Sequence, residues 1–183
     1  NISGTIPSLW SQENTLVHTV RLNDNHFTGT IPPELARFPM LSSVKLGNNN
    51  LTGNLAGWDQ LNLPATGKGF SLDASQNQLS GQLVALDGVR HLTELILANN
   101  NLTGTVPWLP SESIQRVDIS YNKLDDISNF CDDCNNLKHL DLSFNVIKGR
   151  ISDRIFDGLR TINMKRNQLT GTLPFLASFT LTN

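Results

Sequence analysis

Seven asparagines, each with the same kind of neighbours, divide this 183-residue chain into units: Asn25, Asn49, Asn77, Asn100, Asn122, Asn145 and Asn167. The intervals between them are 24, 28, 23, 22, 23 and 22 residues. Five and three residues before each mark stand Val20/Leu22, Val44/Leu46, Leu72/Ala74, Leu95/Leu97, Val117/Ile119, Leu140/Leu142 and Ile162/Met164. Two residues after it stands Phe27, Leu51, Leu79, Leu102, Leu124, Ile147 or Leu169. Four after it stands Gly29, Gly53, Gly81, Gly104, Gly149 or Gly171, and only Asp126 breaks that rule. Self-similarity at a period of about 20–50 residues is the mark of a stacked repeat.

The physical reading follows from the size of the unit. A segment this short cannot bury its own apolar face, so neighbouring units must stack. Alternating apolar residues such as Val20 and Leu22 predict a short strand with one buried face. Each unit places about five apolar side chains inside, and each contributes roughly 1.5–3 kcal/mol on burial. The turn after the strand directs backbone amides inward, where they need partners. An inward asparagine supplies both a donor and acceptors, so Asn25 through Asn167 are expected to form a buried structural ladder. The glycine permits a tight backbone path. The Ile-Pro or Leu-Pro that often follows suits a second, edge-like extended segment, because proline cannot donate to a central ladder.

Composition narrows the function classes. With 38% hydrophobic and 16% charged residues the chain is globular. A net charge of −2 gives no basic field for nucleic acid or an anionic membrane. No apolar run approaches the length of a membrane span. The chain opens Asn1-Ile2-Ser3-Gly4-Thr5-Ile6-Pro7, already inside the pattern. A single solenoid over residues 1–183, with about seven to eight repeats and lacking both terminal caps, is therefore expected to be a piece of something longer.

The segments VRLNDNHFTGTIP, LTELILANNNLTGTVP and RTINMKRNQLTGTLP match the pattern LxxLxLxxNxLTGxIP. In this the chain resembles plant-type, extracellular leucine-rich repeat proteins, a group that includes receptor-like kinase and receptor-like protein ectodomains and polygalacturonase-inhibiting proteins. The resemblance covers nearly the whole chain. It implies a right-handed α/β or mostly β solenoid, with parallel strands on a concave face and irregular or 3₁₀ segments on the convex face. It also implies recognition of peptides, co-receptors or wall-degrading enzymes, without enzymatic activity. The cysteine-paired caps usual in those families are absent, and the repeat lengths vary more than in the inhibitors.

Departures from the repeat carry the remaining information. The 28-residue unit holds Pro64-Ala65-Thr66-Gly67-Lys68-Gly69, read as a loop away from the strands, either a tolerated insertion or a partner contact. The Asn122 unit has lost its glycine, and its second strand is expected to be missing. Cys131 and Cys134 follow in a C-x-x-C spacing. Redox chemistry or half a zinc site would use such a pair. No second pair stands nearby, so a small disulfide loop or two thiols is preferred. Asn1, Asn50 and Asn101 each begin an Asn-x-Ser/Thr sequon, and Asn50 and Asn101 fall one place after a ladder position. A solvent-facing acceptor there, with the resemblance, points to glycosylation and the secretory route, hence an extracellular or cell-surface location. Trp10, Trp58 and Trp108 all follow the turn and are expected to pack under the convex side rather than stack on sugars or bases.

Catalysis finds little support. His18, His26, His91 and His139 occupy unrelated phases of the repeat. The acidic residues near His139 belong to recurring strand phrases, and no nucleophile, base and orienter assemble. The glycines do not form a phosphate-binding cluster, and neither a cofactor nor a metal site is expected.

What remains is a surface. The column between the inward strand residues reads Arg21, Lys45, Asp73, Ile96, Asp118, Asp141, Asn163. The column just before the asparagine reads Asp24, Asn48, Gln76, Asn99, Tyr121, Phe144, Arg166. Tyr121 and Phe144 should sit side by side, roughly 5 Å apart. With Asp118 and Asp141 they make an aromatic–acidic patch, with Arg116 and His139 close by and Lys165 and Arg166 as a basic end. Exposed aromatics are favoured binding anchors. The expected function is recognition of a protein or peptide partner through this concave patch. The alternative is a structural or assembly subunit (wall, coat, filament or scaffold) whose uncapped ends stack on neighbouring subunits.

Overall fold

The computed structural model describes residues 1–8, 16–58, 69–83, 86, 89, 91–106, 108–110, 112–128, 130, 134–151, 155 and 158–172. Within these, fifteen short strands alternate along the chain. The odd-numbered set is β1 (Ser3–Thr5), β3 (His26–Thr30), β5 (Asn50–Thr52), β7 (Ser80–Gln82), β9 (Asn101–Thr105), β11 (Lys123–Asp126), β13 (Lys148–Gly149) and β15 (Gln168–Leu169). The even-numbered set is β2 (Thr19–Arg21), β4 (Ser43–Lys45), β6 (Phe70–Asp73), β8 (Leu92–Ile96), β10 (Arg116–Asp118), β12 (His139–Asp141) and β14 (Thr161–Asn163). One 3₁₀ turn, Pro33–Arg37, lies among the described convex segments. The molecule is a parallel-strand solenoid with the geometry of a leucine-rich repeat superhelix.

The even strands form one seven-stranded parallel sheet in the order β14-β12-β10-β8-β6-β4-β2. Its register lines up like residues of successive units. Val20, Val44, Leu72, Leu95, Val117, Leu140 and Ile162 are direct partners across the sheet. All seven are buried, and with the Leu46, Leu97, Ile119 and Leu142 column they build one continuous core. The alternation of two faces along a strand forces the residues between them outward. That makes Arg21, Lys45, Asp73, Ile96, Asp118, Asp141 and Asn163 a second aligned column on the open, concave face.

The marking asparagines join the turns. Each carboxamide oxygen accepts the amide of the preceding turn, from Ile2 N to Asn25 at 2.8 Å through Ile147 N to Asn167 at 3.1 Å. Asn122 is representative. Its Nδ2 donates to the carbonyls of Leu97 at 3.0 Å, Ile119 at 3.2 Å and Ser120 at 3.1 Å, while Leu102 N donates to its Oδ1 at 3.0 Å. Backbone groups that water cannot reach are thus satisfied by a side chain. Asn49, Asn122 and Asn145 are buried, and Asn25, Asn77, Asn100 and Asn167 are half-buried.

The odd strands behave differently. They form three separate parallel sheets: β1-β3-β5, β7-β9-β11 and β13-β15. The first break follows the 28-residue unit, where Gln78 N and Ser80 N still donate to Leu51 O and Gly53 O at 2.8 and 2.7 Å. The second follows the Asn122 unit. The expectation that this unit lacks its second strand is wrong: β11 is present and pairs with β9. Leu124 partners Gly104 and Asp126 partners Thr105, so Asp125 is an extra residue bulged out of register. Asp126 Oδ1 accepts from Ser128 N at 2.9 Å, and Oδ2 accepts from the hydroxyls of Ser128 at 2.6 Å and Thr105 at 3.2 Å. The strand is kept and ends its sheet, with Val146 N still donating to Leu124 O at 2.9 Å.

The conserved-position glycine has two causes, seen together at Gly53. Its φ is +76°, in the left-handed region. A Cβ there would lie 2.8 Å from Thr30 Cγ2, which rests on the glycine from the turn before. Trp58 is fully buried and packs near Phe70, at 6.3 Å between ring centroids. Trp108 is 50% exposed, which corrects its placement in the convex core. Trp10, most of the 64–69 loop, and Cys131 lie outside the described residues. Cys134 is buried and disulfide-bonded.

Candidate functional site

The site begins in the backbone. The residue before each ladder asparagine takes a left-handed conformation: Asp24, Asn48, Gln76, Asn99, Tyr121, Phe144 and Arg166 have φ between 52° and 58°. In the first six its amide donates to the next turn, as Tyr121 N does to Ser143 O and Phe144 N to Lys165 O, both at 2.9 Å. Side chains in this conformation cost roughly 1–2 kcal/mol, least for Asn and Asp, whose short polar side chains bond locally. Three of the seven positions hold Asn or Asp. Tyr121 and Phe144 are the two aromatic occupants, in adjacent turns.

Those two rings stack at 4.1 Å between centroids and 12° between planes. Tyr121 is 47% exposed and Phe144 half-buried. Lys165 Nζ sits 5.4 Å from the Phe144 ring centroid, so a cation caps one end of the stack. Among the described residues no ring or cation covers the opposite face of Tyr121, on the side of the Asn99 turn.

Beside the stack runs a trough of about 230 Å³ over β10, β12 and β14, lined by Arg116, Asp118, His139, Asp141, Thr161 and Asn163. Its acidic groups are held by their own strands. Asp118 Oδ1 accepts from Ser120 N at 3.2 Å and Ser120 Oγ at 2.7 Å. Asp141 Oδ1 accepts from Ser143 N at 2.9 Å, and its Oδ2 from Asn163 Nδ2 at 2.9 Å. These Asx-type bonds fix each carboxylate against its own turn. His139 Nδ1 bonds the Thr161 hydroxyl at 2.8 Å, not an aspartate. Ser120 and Ser143 are buried; the Ser120 hydroxyl donates to Asp118, and the Ser143 hydroxyl accepts from Asn163 Nδ2 at 3.2 Å. The arrangement presents fixed polar groups and an aromatic plate to a partner.

The structure therefore brings Asp118, Asp141, Arg116 and His139 together along the trough, and Tyr121, Phe144 and Lys165 together in the stack that follows the same strands, with Arg166 exposed beyond them. Thr161, which lines the trough, is a residue that the sequence reading did not single out. It occupies the register position of His139 and Arg116, so the repeat itself carried the signal. The left-handed backbone of the Tyr121 column was also missed. The Asp24, Asn48 and Asn99 in that column were the legible clue. Asn50 and Asn101 are exposed at the first residues of β5 and β9, Asn101 two residues after Asn99 of the Tyr121 column, and Asn1 is exposed near β1.

Comparison with known proteins agrees with this architecture. A family model described as Leucine Rich Repeat matches residues 17–38 and 91–112, and a second of the same description matches 133–150. Receptor-like protein 18 of Arabidopsis thaliana is 31% identical over 180 residues, covering 84% of this chain. The chain spans only 21% of that relative. Among solved structures, the ectodomain of the Arabidopsis receptor kinase HAESA, in complex with an extended IDA peptide hormone, superposes with a TM-score of 0.77 at 27% identity. That match covers 94% of this chain and 29% of the other. A plant ice-binding protein superposes equally well, at 0.77 and 28% identity, over 94% of this chain and 56% of its own.

Proposed function

Since this chain is a leucine-rich repeat protein resembling plant receptor-like ectodomains, we propose that it is an extracellular recognition module that binds a protein or peptide partner through the surface around Tyr121 and Phe144. One observation carries the reading. Two large aromatic rings occupy a backbone position that costs them energy, and they stack in the open rather than in the core. The left-handed backbone itself belongs to every turn; what sets this place apart is that large aromatics fill it in two successive turns. The trough beside the rings is smaller than the roughly 300–1,000 Å³ of small-molecule pockets. It suits one side chain of a larger partner.

The disulfide at Cys134 fits an oxidising compartment, and Asn50 and Asn101 are exposed and open to glycosylation. Secretion from a eukaryotic host, followed by glycosidase treatment, should lower the mass by two or more glycans. Unmodified Asn50 and Asn101 would count against the secretory assignment. For binding, a displayed random-peptide library is panned on the secreted protein and on its Tyr121→Ser/Phe144→Ser variant. Enrichment on the first and loss on the second is expected; equal enrichment removes this surface as the site.

A second reading has its own observation. On β1, β3 and β5, Ser3, Thr5, Thr28, Thr30 and Thr52 are all exposed, with the methyls of Thr5 and Thr30 over glycines of the following turn. Such a regular hydroxyl-and-methyl array offers a surface to ordered water, and the ice-binding neighbour makes that worth measuring. Thermal hysteresis lost on Thr30→Tyr would support it; its absence in the wild-type protein ends it.

A further inference from the structure

The recognition reading names a surface; the charges on that surface name the chemistry of what lies on it. The outward residues of consecutive strands are ordered by sign. In the column of Arg21 on β2 and Lys45 on β4, which are basic, Asp73 on β6, Asp118 on β10 and Asp141 on β12 are acidic; on β8 that column holds Ile96, and the strand's acid, Glu94, stands in the next column as the register partner of Arg116. Past β14 stand the basic Lys165 and Arg166. Arg116 is the one cation set among the acids. None of these groups is joined to another by an ion pair among the described residues, although opposite charges stand on neighbouring strands. Asp118 shows the consequence. One carboxylate oxygen is held by Ser120, and the other has no hydrogen-bond partner among the described residues.

The aromatic stack divides this field. Lys165 covers the Phe144 end, and the open face of Tyr121 looks toward the acidic strands. A cation on that face gains the ring's quadrupole and the nearby carboxylates together. Two rings separate it from Lys165, so the like charge is held at a distance. A partner's acidic group meets Lys165 and Arg166 at the other end.

We propose, resting on the recognition reading above, that the occupant is an extended peptide laid across the strands, with a basic centre and acidic flanks. Its Arg or Lys stacks on the open face of Tyr121 above Asp118, and an acidic side chain reaches Lys165 and Arg166. At roughly 4.8 Å per strand the acidic block from β6 to β12 is about 15 Å long, the reach of about four to five extended residues. Charge order of this kind sets register and orientation more than raw affinity.

The test sorts the peptides enriched on the secreted protein by charge, then compares two variants. Enriched peptides should carry a basic centre with an acidic residue four to six positions away, and should weaken at least ten-fold between 0.05 and 0.5 M salt (roughly the range over which the Debye length falls well below 10 Å). Lys165→Glu/Arg166→Glu, whose exposed side chains lie off the ladder, should turn the preferred flank from acidic to basic. Asp118→Asn/Asp141→Asn, which keeps the shape of the trough, should cost at least ten-fold for the basic-centred peptides. Peptides that need Tyr121 and Phe144 but show no charge order, or ignore both charge variants, overturn this inference and leave the recognition reading standing. No enrichment, or enrichment indifferent to the two aromatics, overturns both.

Discussion

The two sets of strands are made by the same repeat, yet one is continuous and the other is broken twice. The seven even strands pair in one sheet from β2 to β14, past both irregular units, and absorb one extra residue, Thr93, where β8 meets β6. The odd strands part at those same two units. The even strands directly precede the asparagine ladder, which resets the register every turn. The odd strands begin at the ladder and run out toward the variable convex segments, where an added residue goes uncorrected. A fixed platform therefore carries the residues that vary, while the flank absorbs changes of length.

The sharpest way to break that contrast is to remove a rung. Asn122→Ala strips four hydrogen bonds from buried backbone groups and should lower stability by about 2–4 kcal/mol. Asn25→Ala, at a half-buried rung near the first described turn, should cost less than half as much. Equal losses in denaturant titrations would mean that the ladder does not act through burial.

The flank should tolerate more. Gly53→Ala places a Cβ 2.8 Å from Thr30 Cγ2 at positive φ, and should cost about 2 kcal/mol. Gly149→Ala meets nothing within 4 Å and bears only the backbone penalty, about 1 kcal/mol. Thermal melts of the pair separate clearance from conformation.

Tyr121→Asn/Phe144→Asn tests whether the aromatics belong to the platform or to its cargo. Their stack contributes about 0.5–1.5 kcal/mol, and relief of the left-handed backbone returns a similar amount. Stability should stay within about 1 kcal/mol of the wild type while binding is lost. A fall of several kcal/mol would make the rings structural.

The smallest effect concerns acid. The Ser128 hydroxyl and amide, with the Thr105 hydroxyl, hold the Asp126 carboxyl below its usual range. A depressed value stabilises the fold above the unfolded pKa of about 3.9. The contribution fades as pH falls through the lowered folded value. Asp126→Asn should therefore be slightly less stable at pH 6 and converge on the wild type near pH 2, seen as a flatter acid limb in urea midpoints.

Most of this fold was legible because the repeat states each instruction seven times. The Leu-x-Leu pairs give strand and face, and the asparagines give the period. The bulge at Asp125 was not legible, because a lost glycine reads the same whether the strand vanishes or gains a residue. Trp108 misled because it stands eight places after its ladder asparagine, one before the place of Trp58, and Leu109 fills the buried ninth place in that unit. At the site, Tyr121 and Phe144 were legible as neighbours. Their left-handed backbone was hidden, since aromatic residues are the ones least expected there.

The ladder also points one way. Every rung reaches back to the turn before it: Asn49 accepts from Phe27 N and donates to Leu22 O, and Asn145 accepts from Leu124 N and donates to Ile119 O. A turn is therefore completed by its successor. On a ribosome adding about 5–20 residues per second, each new turn waits about one to six seconds for the asparagine that will satisfy it. During that interval its inward amides are open to water or to a chaperone. The last turn made is always the unfinished one.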